Sequence, residues 1–405
     1  MNYPFPLITN IEQVRKAVAG REEFKEVDKG DHIIFNYLVN FADTFPNPWE
    51  KYNFPLDGEK EVLNTNSTLL RECRGLVFDK ETGRVISRRY HKFFNLNEKP
   101  ETAHEKLDFT KPHVILEKLD GSMIAPYITS DGELYIGTKM GDTDVAKNAA
   151  DFISRNDNIS EFIEACLRGD ETPIFEWCSR RNRIVVDYPD DMLILTAVRD
   201  NITGKYLKYS VIKELSKIWQ IQCVKAIEST SDDILSSLST LEDAEGYVIR
   251  FDDGHMIKVK GDWYVQLHRL LDSVKNEKDI IPLILNDKLD DAKAFFPDDL
   301  AIKLDRFGEK MMQNIFVFAD SVLFSTRLLF ASQYSDKEFA EAIKESPIKS
   351  LFFSIKKHVN KNGYSGKDEL REIIFNIVKD NIIKSCSTKA KVEEIRHIIK
   401  VKWDD

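Results

Sequence analysis

The sequence has no pair of cysteines at C-x-x-C spacing. Its five cysteines, Cys73, Cys166, Cys178, Cys223 and Cys386, are odd in number and widely scattered, which excludes a disulfide framework and a structural zinc site and leaves reduced packing residues. A G-x-x-x-x-G-K-[ST] run is also missing, so no P-loop kinase is expected. No long apolar run offers a membrane span, and a mean hydropathy of -0.36 with 31% charged residues reads as a soluble chain with no membrane partner. The opening MNYPFPLITNIEQVRKAV has no basic stretch ahead of an apolar one and no small-residue cleavage site, so the expectation is no secretory signal and a cytoplasmic place of work. An excess of positive charge is lacking as well. With 58 Lys+Arg against 68 Asp+Glu the net charge is -10, the wrong sign for coating nucleic acid non-specifically, so any nucleic acid must meet cations concentrated locally.

What is present falls into two stretches. At 405 residues the chain exceeds the usual single hydrophobic core. From His32 to about His268 it reads as short β-rich runs, among them HIIFNYLVNF, GLVFD, RVISRRYHKFFN, HVILEKLDGSMIAPYI, PIFEWCS, RIVVDYP, EGYVIRF and MIKVK. Turn signals at Asp131 (DGE), Asn201 (NITGK) and Phe251 (FDDGH) look like hairpins, which favours antiparallel sheets over a doubly wound parallel one. Helical stretches are expected over Thr143 to Arg168 and Ser210 to Trp219. After about Leu271, Leu300, Leu304, Phe307, Met311, Ile315, Phe318 and Val322 recur at three- to four-residue spacing, the mark of an amphipathic helix in an all-α tail. The expectation is an α+β chain in two domains, 1–272 sheet-rich and 273–405 helical.

Several short segments carry chemistry-bearing residues. In EKLDGS, Lys118 closes an apolar run, where partial desolvation lowers an amine's pKa and exposes a nucleophile. Chance alone gives K-x-D-G in roughly one chain of this length in ten, and an ordinary turn after a strand also explains it. EGYVIRF puts Glu245 at a strand entry, where its oxygens could hold a divalent cation or simply face water. In MIKVKGDWYVQLH, Lys258 and Lys260 share one face of a strand, which is unfavourable without an anion unless that face is solvated. FEWCSRRNRIVVDYP sets Glu176 beside Arg180, Arg181 and Arg183, while RECRGLVFD and RRYHKFFN place Arg71, Arg74 and Lys92 among aromatics.

Singly each segment is better explained by structure than by function; their joint order is not. R-G-L-V-F-D, K-x-D-G-S, F-E, E-G-Y-V and K-V-K in that sequence resemble the covalent nucleotidyltransferase superfamily, and ECRGLVFD, YHKFFN and KVKGDWYVQLH resemble the RNA ligase 1 family of T-even bacteriophages. The motifs span about Arg71 to His268. The resemblance implies that Lys118 accepts AMP, with Asp120 and Gly121 as its motif companions. It further implies Glu176 near ribose or metal, Glu245 as the metal-linked carboxylate, and Lys258 and Lys260 at the α-phosphate. Arg74 and Lys92 match positions that hold the outer phosphates of ATP, and Lys139 in YIGTKMG matches another basic position of the nucleotide site. ATP and Mg²⁺, with Mn²⁺ as a substitute, would be the cofactors.

The implied partner is RNA bearing 5′-phosphate and 3′-hydroxyl ends, such as cleaved tRNA, joined by a monomer in the cytoplasm of a phage host, with help from the helical tail. DKLDDAK near Asp290 could add a metal contact or be a solvated helix face. The alternatives are an mRNA guanylyltransferase or DNA ligase, which would place an OB-type β domain after the K-x-K motif, and a non-catalytic RNA-binding protein.

Overall fold

The computed structural model describes residues 3–54, 58–286, 288–289 and 296–403. By its contacts the chain divides into two units, Met1–Val265 and Gln266–Asp405, the division falling inside the helix Asp262–Ser273. The first unit mixes sheets and helices. The second is helical in all its regular elements among the described residues.

The strands of the first unit are β1 (Phe24–Asp28), β2 (His32–Tyr37), β3 (Trp49–Phe54), β4 (Gly58–Leu63), β5 (Arg74–Asp79), β6 (Val85–Ser87), β7 (Phe94–Asn95), β8 (His113–Lys118), β9 (Ser122–Ile128), β10 (Leu134–Gly137), β11 (Glu171–Cys178), β12 (Met192–Asp200), β13 (Gly246–Phe251) and β14 (Met256–Lys260). They form sheets in the orders β1-β2-β5-β6, β10-β9-β11-β12 and β7-β14-β13-β8, plus the hairpin β3-β4. The ladders are antiparallel except at one edge, where two-residue β7 runs parallel to β14. Antiparallel sheets are thus found as expected, and the one parallel edge arises because β7 is reached through the irregular stretch after β6, not through a hairpin to β14.

The central strands β2, β5, β9 and β11 are buried along most of their length, on both faces. Phe35, Leu76 and Phe78 pack with Val14 and Leu69 of the helices Ile11–Val18 and Thr65–Glu72. Ile124, Phe175, Trp177 and Leu195 pack with Ile153, Phe162 and Ile212 of three further helices. The helical stretch expected as continuous to Arg168 breaks into Asp144–Ser154 and Asp157–Arg168, because Asn156 turns extended (φ -129°) and its amide donates to the Phe152 carbonyl at 2.6 Å. RIVVDYP is not a strand; its backbone N–H groups are used elsewhere, as described below.

In the second unit, Leu304, Phe307, Met311 and Ile315 of the helix Asp298–Ala331 meet Ile355, Ile374 and Ile382 of the helices Lys349–Asn362 and Lys367–Ser385. By length and composition Asp298–Ala331 is apolar enough to cross a membrane, which corrects the expectation that no stretch is. Its inward face is nonetheless the spine of this core, and its Asp320 pairs with Arg371 of a neighbouring helix at 2.7 Å. Most of DKLDDAK lies outside the described residues.

Candidate active site

Gly246 opens β13 and is paired on both sides, with Lys118 at the end of β8 and with Lys260 at the end of β14. Its φ is +139°, and a Cβ there would lie 2.1 Å from the Val259 carbonyl oxygen and 2.8 Å from the Lys260 Cα. Only glycine lets β14 come this close. The residue before it, Glu245, therefore sits between two lysines drawn from opposite edges of one strand. Its Oε2 is 2.6 Å from the Lys118 Nζ and its Oε1 is 2.9 Å from the Lys260 Nζ. Glu245 is 4% exposed, while Lys118 and Lys260 are half-buried, so the carboxylate lies under its two lysines and the geometry is fixed by strand register.

The turn after Lys118 is held by its own residues. Asp120 is buried; its Oδ2 accepts from the backbone N–H of Val185 and of Val186, both at 2.8 Å, and its Oδ1 accepts from the Tyr264 hydroxyl at 2.7 Å. Its own N–H donates to the Tyr188 hydroxyl at 3.0 Å. Asp120 thus anchors the loop that the sequence suggested as a strand. At Gly121 a Cβ would lie 2.3 Å from the Trp177 carbonyl oxygen, so the turn presses directly on β11. On β11, Glu176 points into the same space. Burial pushes its carboxyl up to about 7, with the Glu245 charge adding to the rise and Lys118 opposing it.

Beyond the triplet lies a group of cations with little to balance them. Lys258, two residues before Lys260 on the same face of β14, is held well below the usual lysine range by burial first and then by Arg74, Lys92 and Lys118. Its Nζ stands 4.6 Å from the Phe93 ring centre. Lys92 is 8% exposed, with its Nζ among the rings of Tyr37, Phe45 and Phe94. It too is lowered by burial, with Glu98 opposing and Arg74 reinforcing the effect. Lys139, just past β10, sits 3.5 Å above the Tyr37 ring and donates to the Tyr37 carbonyl at 3.1 Å. Burial, then Arg74 and Lys92, bring it down to about 8. Arg74 opens β5 with an NH1 3.0 Å from the Met123 sulfur. Such crowding of like charge is unfavourable by itself and would be relieved by an anion among these groups.

All ten expected residues are therefore in one region. Asp120 and Gly121 act through the scaffold, and the other eight face the space. Arg71 and Arg180 do not: Arg71 pairs with Glu101 at 2.5 Å, and Arg180 with Asp187 at 3.1 Å. The sequence reading missed Tyr37, whose ring both Lys92 and Lys139 approach, and Tyr264, the hydroxyl that completes Asp120. Tyr264 was visible inside KVKGDWYVQLH, but Tyr37 carried no signal beyond a β-rich run. A hard divalent cation fits the donor set, because Glu176 and Glu245 are two oxygen donors whose mutual repulsion it would relieve.

A family model described as RNA ligase matches residues 72–264. A protein of Thermovibrio ammonificans named "Putative RNA ligase" is 28% identical over 383 residues, 93% of this chain and 91% of that one. RNA ligase 1 of Bacteriophage TS2126 is 26% identical over 229 residues, 55% of this chain and 57% of its own length. Among solved structures, an archaeal ATP-dependent RNA ligase is similar at a TM-score of 0.41 and 14% identity, over 91% of this chain and 94% of that one.

Proposed function

We propose that this chain, which resembles the bacteriophage RNA ligase 1 family, is an ATP-dependent RNA ligase whose Lys118 carries AMP between the nucleotide and the RNA. The observation that carries the reading is the Lys118–Glu245–Lys260 triplet, built on a buried carboxylate, set beside the unbalanced cations Arg74, Lys92, Lys139 and Lys258.

In the first step the Lys118 amine, having released its ammonium proton to solvent, forms a P–N bond to the α-phosphorus of ATP as the α–β P–O bond breaks, pyrophosphate leaves and the nitrogen gives up a further proton to solvent. Lys258 and Lys260 stand beside the α-phosphate, and Arg74, Lys92 and Lys139 receive the outer phosphates. An oxygen of an RNA 5′-phosphate then takes the AMP from Lys118, and a 3′-hydroxyl attacks that 5′-phosphate and expels AMP, forming the phosphodiester. Glu245 and Glu176 would hold a divalent cation, Mg²⁺ or Mn²⁺, which supplies charge neutralisation at the phosphates. While Lys118 is charged, it occupies one oxygen of Glu245. Conversion to the phosphoramidate removes the positive charge from the Lys118 nitrogen and frees that oxygen, so the same carboxylate serves two states of the site.

The first unit is read as the adenylyltransferase domain and the helical unit as the part that meets folded RNA such as cleaved tRNA, in a cytoplasmic monomer. The regular elements described after Lys260 are helices, which disfavours the OB-type β domain of capping enzymes and DNA ligases. The test is incubation with a divalent cation and ATP labelled at the α-phosphate, followed by denaturing electrophoresis. Label on the wild type from ATP and none on Lys118→Ala is expected; label from GTP alone would move the reading to capping, and no label on folded protein would end it.

A further inference from the structure

We propose that Arg89 is a positioning residue that locks the Arg74–Gly75 and Gly137–Lys139 segments into one rigid cradle, and thereby selects nucleotides bearing a polyphosphate over those bearing one phosphate. This rests on the nucleotide-binding reading above.

Arg89 follows β6 and is 2% exposed. Its NH1 donates to the Gly75 carbonyl at 2.8 Å and approaches the Lys139 carbonyl at 3.5 Å. Those carbonyls belong to the residue after Arg74 and to Lys139 itself, two of the cations assigned to the outer phosphates. Two glycines make room for it. A Cβ at Gly75 would lie 2.3 Å from the Arg89 NH1, and one at Gly137 would lie 2.6 Å from its NH2. Both segments are therefore built around this guanidinium, and neither can be reshaped without moving it.

The rest of its environment is poor for a structural cation. The Nε and NH2 have no hydrogen-bond partner. Among the described residues no carboxylate lies within ion-pair distance, and the Tyr127 ring at 5.8 Å is its aromatic neighbour. A purely structural role would be better served by an apolar side chain of similar length, since an unpaired buried charge costs stability. A guanidinium that fills the space between two phosphate-binding segments, with one NH1 bonded to Gly75 at 2.8 Å and reaching Lys139 at 3.5 Å, explains its presence, because displacement of a binding group by about 1 Å can cost on the order of a hundredfold. Burial lowers the group, with the Arg74 charge adding to that, which is consistent with a cationic wall behind the cradle.

Arg89→Met and Gly137→Ala, the latter pushing the guanidinium aside without removing it, are compared with wild type by calorimetric binding of ATP and of AMP and by thermal melting. The expected result is loss of at least about tenfold in ATP affinity, unchanged AMP affinity and an unchanged or raised melting temperature, with Arg89→Lys recovering part of the ATP preference. Equal loss of ATP and AMP binding with a lowered melting temperature in both variants would overturn the proposal in favour of a structural role. Unchanged ATP affinity would also overturn it. Wild-type protein that prefers ATP yet is never labelled on Lys118 would sink the ligase reading and leave Arg89's role standing.

Discussion

Two clusters of buried charge stand in the first unit and follow opposite rules. In one, Glu72 receives Arg199 through two hydrogen bonds of 2.8 Å and Arg88 through contacts of 3.1 and 3.2 Å, and both guanidiniums spend their remaining donors on backbone carbonyls, among them Ile202, Pro6 and Gly204. All three side chains are shut off from water. Burial alone would push the Glu72 carboxyl up, yet Arg199 and Arg88 outweigh it and hold it below its ordinary value. In the other, burial lowers Lys92, Lys139 and Lys258, the Arg74 charge lowers all three further, and Glu98 opposes the effect at Lys92 and Lys258. The compensated cluster is scaffold, and the uncompensated one is the site. Burial and charge are shared by both, so the presence or absence of a partner distinguishes them.

The contrast can be broken most sharply at Glu72. Glu72→Gln leaves two guanidiniums buried without their carboxylate, and a loss of about 3–5 kcal/mol in chemical denaturation is expected. A loss under 1 kcal/mol would mean the cluster is not scaffold. Next comes Glu176, whose native carboxyl is raised to about 7 against an ordinary 4.5. The folded state then binds more protons than the unfolded one between those values, so this group's contribution is intact below pH 4.5 and falls as pH rises to 7. Glu176→Gln should therefore gain about 3 kcal/mol at pH 8 and nothing at pH 4, read from denaturation at the two pH values. Equal effects at both would refute the assignment.

The smallest expected effect is at Lys258. Its cost is full below its lowered pKa and is relieved progressively as pH rises from there to the ordinary lysine value of 10.5, because over that range the unfolded chain binds the extra proton. Lys258→Met should melt no lower than wild type at neutral pH, while lysyl-AMP formation drops about a hundredfold, or ~2.7 kcal/mol of transition-state stabilisation. A variant that loses stability and keeps its rate would move Lys258 into the scaffold class.

The site was more legible in the sequence than the scaffold around it. Lys118, Glu245, Lys258 and Lys260 were readable through the joint order of their motifs and its resemblance to a known family; strand alternation by itself said only that Lys258 and Lys260 share a face. Residues 72, 88 and 199 meet only in three dimensions, and nothing in RECRG or AVRDN says that an ordinary-looking Glu or Arg is fully buried. RVISRRYHKFFN read as one strand, yet only Val85–Ser87 and Phe94–Asn95 pair. Between them Arg88, Arg89, His91 and Lys92 are all buried, which alternating in-and-out geometry does not allow. RIVVDYP had the composition of a strand, but the Val185 and Val186 amides found the Asp120 carboxylate before they found a neighbouring strand.

Gly246 also determines where this chain can change in length. The distances among Lys118, Glu245 and Lys260 are set across the ladder at one residue, not along the chain. The long stretch between Lys118 and Glu245 is therefore free, as far as the triplet is concerned, to gain or lose loops. The short hairpin from Gly246 to Lys260 is not, because one residue added or removed inside either strand turns a lysine to the opposite face of the sheet. Among descendants of such a chain, variation in length should crowd into the first interval and stop abruptly at the second.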